Sequence, residues 1–250
     1  MGQLWLVLGL AAVPALANFA GGLIAEVRPV SDRTLSFALH AAAGIVIAVV
    51  GLELMPRALQ APWPWVPMLA FVAGAGLFLG LDALAGYLQA RTAARSRGDG
   101  QERGASWGVY GGVALDLFSD GILIGTGTVV NPTLGVLLAV GQAPADLPEG
   151  FAAAATLRGA GVPRARRLAA GAGFAVPILL GAALGYLALR GAPDAVTLSV
   201  LAFTGGALLS VVIEEMVPQA HEANESRWDS LFLVAGFAVF AAVSVYVPAG

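Results

Sequence analysis

The chain has no cysteine, which excludes disulfides, thiolate metal ligands and thiol catalysis. It has no lysine either, so all 13 basic residues are arginine. Charged residues make up only 12% of the 250, against about 25% in a soluble domain. That is too little charge to cover a water-facing surface. The net charge is −3, and without a basic face a nucleic-acid partner is excluded. What fills the space is apolar: 58% of residues are hydrophobic and the mean hydropathy is +0.81. Such a composition belongs in a lipid bilayer, which is the first expected partner.

A spanning helix needs about 20 mostly apolar residues. Eight segments meet this, at roughly 3–25, 35–55, 64–89, 107–130, 133–157, 168–189, 195–217 and 229–248. The breaks carry turn or charge signals, such as Ser31-Asp32, Asn131-Pro132 and Gly191 to Asp194. The longest break, 91–106, is rich in Arg, Gly and Ser and reads as a linker. Residues 4–17 resemble a signal-peptide core, but no basic residue precedes them and the apolar run continues to Ile24. A first membrane helix is the preferred reading. The expected fold is one all-α, polytopic transmembrane domain over residues 1–250.

Arginine placement sets the orientation. With the N-terminus outside, the inner loops hold Arg28, Arg33, Arg91, Arg95, Arg97, Arg103, Arg158, Arg164, Arg166, Arg167 and Arg227, and the outer loops only Arg57 and Arg190. Both termini are therefore expected outside the cytoplasm of an inner-membrane protein. Helix 2 and helix 7 also share a pattern at an offset of 162: Gly44 with Gly206, Val49-Val50 with Val211-Val212, Glu53 with Glu215, Pro56 with Pro218. Odd and even helices run in opposite directions, so the match reads as an inverted 3+2+3 repeat, the symmetry with which transporters alternate access. Chance similarity of Ala/Gly/Val-rich helices is the competing explanation.

Eight acids fall inside the predicted spans: Glu53, Asp82, Asp116, Asp120, Asp146, Glu149, Glu214 and Glu215. No arginine falls well inside one, so these acids are expected to be protonated, hydrated or neutralised by a bound cation. Asp116 and Asp120 are i,i+4 and share a helix face; Asp146 and Glu149 are i,i+3 and share another. Asp116 lies as far before Asn131 as Asp146 lies after it, which puts both about 22 Å from the turn at 1.5 Å per residue. Four carboxylates thus converge between helices 4 and 5, in a cation site or in a proton-sharing structural network. Pro148 frees the carbonyl of Pro144 as a further oxygen, and Ser119 and Gly121 loosen helix 4 at the same level. Glu53, Ser119, Glu214, Glu215 and His221 are auxiliary pathway candidates. Asp82 reads as a satisfied structural acid, and His40 and His221 as residues at span ends.

The sequence resembles the ZIP (Zrt/Irt-like) metal transporters over nearly its whole length. Asp116-Leu117-Phe118-Ser119-Asp120-Gly121 stands where that family has H-N-x-P-[DE]-G, and Ala145-Asp146-Leu147-Pro148-Glu149-Gly150 where it has H-E-x-P-E-G or Q-D-x-P-E-G. The run Glu214-Glu215-Met216-Val217-Pro218-Gln219-Ala220-His221 is similar to its helix 7 ending. The resemblance implies eight spans, outside termini, a 3+2+3 plan and metal-ligand roles for Asp120, Asp146 and Glu149, with Asp116 in place of a histidine. Leu117, Ala145 and Val176 depart from the pattern, and the second position of a two-metal site is expected to be altered.

The expected function is divalent cation transport towards the cytoplasm through this all-oxygen site, with zinc, manganese or iron as substrate. A site without imidazole or thiolate favours harder ions relative to a histidine site. The alternatives are a proton-coupled transporter of another substrate and a non-transporting metal sensor. An enzyme is not expected: the G-x-G-D pattern of aspartyl intramembrane proteases is absent, and no organic cofactor motif is present. A homodimer is an admissible assembly.

Overall fold

In lipid every backbone N–H and C=O must be satisfied within the chain, so long apolar runs become helices. The computed structural model is all-helical. It describes residues 2–27, 30–95 and 100–246, with the side chains at 82, 85, 86, 88–95 and 100–109 excepted. Among the described residues eight long helices follow one another: α1 (Gly2–Val27), α2 (Asp32–Ala58), α3 (Trp65–Arg95), α4 (Gly100–Val130), α5 (Pro132–Gly159), α6 (Arg164–Leu189), α7 (Asp194–Ala223) and α8 (Asp229–Tyr246). All of these except α3 and α5 are long and apolar enough to cross a membrane by length and composition, counting α4 over Tyr110–Val130. In α3 the apolar part of the described residues is Trp65–Leu81. The polar Gln142, Asp146 and Glu149 dilute α5.

The ends are set by local chemistry. The Ser31 hydroxyl accepts from the Thr34 N–H at the start of α2. Asn131 is extended and caps α5 through Thr133 N–H to its Oδ1 at 2.7 Å, with Pro132 at the first helical position. Only this residue separates α4 from α5. Gly161 and Gly191 take φ of 70° and 82° just beyond α5 and α6, the left-handed turn that releases a helix. Helix α6 bends at Phe174, where Pro177 withholds a donor from the carbonyl of Gly173.

Two expectations need correction. Helical backbone is described through Arg95 and from Gly100 onward, so the described residues of the stretch read as a linker over 91–106 are helix. Polarity marks where a helix leaves lipid, not where it ends. Likewise α2 continues past residue 55 to Ala58 and carries Arg57. The side chain of Asp82 lies outside the described set.

Four close crossings knit the helices. A Cβ on Gly44 would sit 1.9 Å from the carbonyl oxygen of Leu233, and one on Gly236 would sit 2.0 Å from that of Ala41. The same reciprocal relation joins Gly74 with Gly206, Gly21 with Gly150, and Gly121 with Gly181. In each case the glycine meets the carbonyl three residues before its partner. Small residues let backbones approach this closely in membrane bundles. The crossings pair α2 with α8, α3 with α7, α1 with α5 and α4 with α6. Further packing of α4 on α5 and of α1 on α6 makes one block of α1, α4, α5 and α6. A second block holds α2, α3, α7 and α8, and the two meet where α2 packs on α5 and α7 on α4.

Helices α2 and α7 both widen into π-helical turns, over Val49–Leu54 and Val212–Met216. At the offset of 162 the first segment falls on 211–216 and so covers the whole of the second. The glycines agree as well: Gly44 maps on Gly206 and Gly74 on Gly236, so one crossing maps on the other. Inserted turns of this kind recur at functional sites. Here they lie against the contact between the two blocks.

Candidate metal site

The seam between the blocks holds a small cavity of about 10 Å³, the room of a single water or bare cation. Its walls come from four helices: Val46 of α2; Asp116 and Asp120 of α4; Gln142, Ala145, Asp146 and Glu149 of α5; and Leu208, Val211, Val212 and Met216 of α7. The fold thus brings together all four carboxylates expected from the helical spacing. Asp120, Asp146 and Glu149 are 2%, 1% and 9% exposed, and Asp116 is half-buried.

The acids face one another, Asp116 against Glu149 and Asp120 against Asp146. Both oxygens of Asp146, Oδ1 of Asp116 and Oε2 of Glu149 lack a hydrogen-bond donor. None of the four forms an ion pair with an arginine or histidine among the described residues. Buried carboxylates at such density cannot all be ionised without compensating positive charge.

Gln142 was not legible as a site residue, yet it is 2% exposed and its Nε2 donates to Asp120. Its own Oε1 has no donor and adds another oxygen to the wall. The signal was present: Gln142, Asp146 and Glu149 follow the i, i+4, i+7 spacing of one helix face. A neutral amide is simply less conspicuous in an apolar run than an acid. Pro144 and Pro148 lie within α5 without ending it.

Asp116 also lines a larger cleft of about 250 Å³ between α3, α4 and α7, together with Ser119 and Glu215. Two of the auxiliary candidates therefore neighbour the carboxylate cavity. Ser119 donates to the carbonyl of Leu115 at 3.1 Å. Glu214 is exposed and lines neither space. Glu53 also lies outside both, and its expected lack of a basic partner is corrected. It is buried, 3.0 Å from Arg57 Nη2, and accepts from Ser244 of α8. His221 stands apart, beside His40 and Asp229. Of the departures from the resembled pattern, Leu117 is buried, Ala145 lines the cavity and Val176 is exposed.

A comparison with curated proteins finds no match. The family model described as ZIP zinc transporter matches residues 94–244, which take in α4 to α7 and all but the last two residues of α8, with the carboxylate pairs of both site helices. An all-helical, multi-pass membrane protein with acids gathered inside it agrees with that match. The chain belongs to the ZIP zinc transporter family.

Proposed function

We propose that this protein carries divalent metal ions across the membrane towards the cytoplasm, through the site formed by Asp116, Asp120, Asp146 and Glu149 between α4 and α5. One observation carries the reading: four carboxylates line one small space, and several of their oxygens have no donor. A divalent ion supplies the missing charge and fills the unused lone pairs. Oxygen donors from Asp, Glu and Gln form a hard set, so the cargo extends from zinc to manganese and iron. Asp116, exposed to the larger cleft as well as to the cavity, connects the site with a way in or out.

The eight helices each cross the bilayer, with both termini outside the cytoplasm. They form an inverted repeat in which α1–α3 correspond to α6–α8, with α4 and α5 between them. The coincident π-turns and the exchange of the Gly44–Gly236 crossing for Gly206–Gly74 support this symmetry. Purified protein in liposomes tests the transport reading. Asp120→Asn with Glu149→Gln removes two charges and nearly no volume, and uptake of radiolabelled zinc or manganese is expected to fall to the rate of empty vesicles. Wild-type flux in that double variant would overturn the site.

A further inference from the structure

We propose that His40, His221 and Asp229 form a second divalent-metal site, chemically unlike the first. One ligand atom from each lies within 4.8 Å of the others. The residues come from the start of α2, the end of α7 and the start of α8. This is the end of the bundle that the arginine pattern assigns to the cytoplasm.

Two of the three side chains are buried and each presents an unused atom. His40 is 2% exposed. Its Nδ1 lies 2.9 Å from the carbonyl oxygen of Ser36, which can only accept. Nδ1 therefore carries the proton, and Nε2 is left with a lone pair and no partner. Asp229 is 4% exposed; its Oδ2 accepts from the Ser226 N–H at 2.7 Å, and its Oδ1 has no donor. A histidine held through its other nitrogen and a carboxylate held through its other oxygen have the supporting contacts typical of metal ligands. His221 completes the set. Its ring centroid is 4.9 Å from that of His40, and its Nε2 is 4.0 Å from Asp229 Oδ2. It is half exposed, so it has freedom to close on an ion and to open a position to water.

Two imidazoles and one carboxylate suit a borderline ion such as Zn²⁺ or Co²⁺, with a fourth position for water. The carboxylate cavity begins at Val46, six residues along α2 from His40. At 1.5 Å per residue that is about 9 Å. The second site is thus close enough to receive an ion from the first, and its existence does not depend on the first being occupied.

Cobalt titration of the full-length protein in detergent separates the possibilities. Four-coordinate Co²⁺, here with two imidazole nitrogens, absorbs strongly in the visible, whereas all-oxygen six-coordinate Co²⁺ absorbs weakly. The wild type is expected to give the strong bands. His221→Gln, at a half-exposed position, is expected to lose them, with Co²⁺ binding weakened by more than the roughly 10–100-fold that loss of an outer partner alone costs. Asp120→Asn with Glu149→Gln is expected to keep them. Absence of strong bands in the wild type, or their persistence in His221→Gln, would overturn the proposal and leave a hydrogen-bonded structural cluster. Loss only in the double carboxylate variant would assign the bands to the central cavity and overturn it equally.

Discussion

At Gln142 a single neutral side chain governs the order of the carboxylate cavity. Its amide donates to Asp120 while its oxygen faces the same space. Gln142→Leu preserves size and removes both contacts, so Asp120 loses an orienting donor. Metal affinity is expected to fall on the order of 10–100-fold, the usual cost of losing a supporting partner. The apparent KM of zinc uptake in liposomes measures it, and an unchanged KM would remove Gln142 from the site. The acids were legible because a charge in an apolar run is costly and helical spacing tells which charges share a face. Three features were not. Gln142 carries no charge. The Glu53–Arg57 pair is i,i+4, but Arg57 falls two residues beyond the apolar window. His40 and Asp229 are 189 positions apart, and only the packing of α2 on α8 brings them together.

Among the elements, the glycine crossings make the sharpest demand on sequence. Gly206→Ala places a methyl 1.9 Å from the carbonyl oxygen of Phe71, and backbone cannot give way as a side chain can. The cost is expected to be about 1–3 kcal/mol, the range for overpacking, seen as a lower Tm in detergent. Gly76 on α3 has open space around its Cβ direction, so Gly76→Ala is expected to leave Tm unchanged. Equal behaviour of the two would show that close approach does not hold these helices. The apolar runs told where each helix lies, but not which helix it crosses. The helix ends were less legible for a related reason. Segments such as Arg164 to Arg167 are polar yet helical, and hydropathy cannot separate a helix continuing into water from a loop. At the start of α6, tertiary contacts secure such a segment: Arg167 pairs with Glu26 of α1 at 2.5 Å.

For the whole molecule, the natural absence of cysteine makes orientation directly testable. Val162→Cys sits in the turn between α5 and α6, and Ala192→Cys in the turn between α6 and α7. In intact cells a membrane-impermeant maleimide is expected to label the second and not the first. The reverse result would invert the topology and with it the direction assigned to transport.

The four backbone crossings all lie within a block, and none joins one block to the other. Between the blocks, Gly141 of α5 meets the side chains of Val49 and Phe240 rather than backbone. Substitution inside a block is therefore constrained by atoms that cannot move, while the seam is lined by side chains that can be exchanged one at a time. The residues that line the carboxylate cavity sit on that seam. Ala145, which lines the cavity where a related pattern carries a polar group, illustrates such an exchange. Evolution can revise the chemistry offered to the cargo while both halves of the scaffold stay as they are.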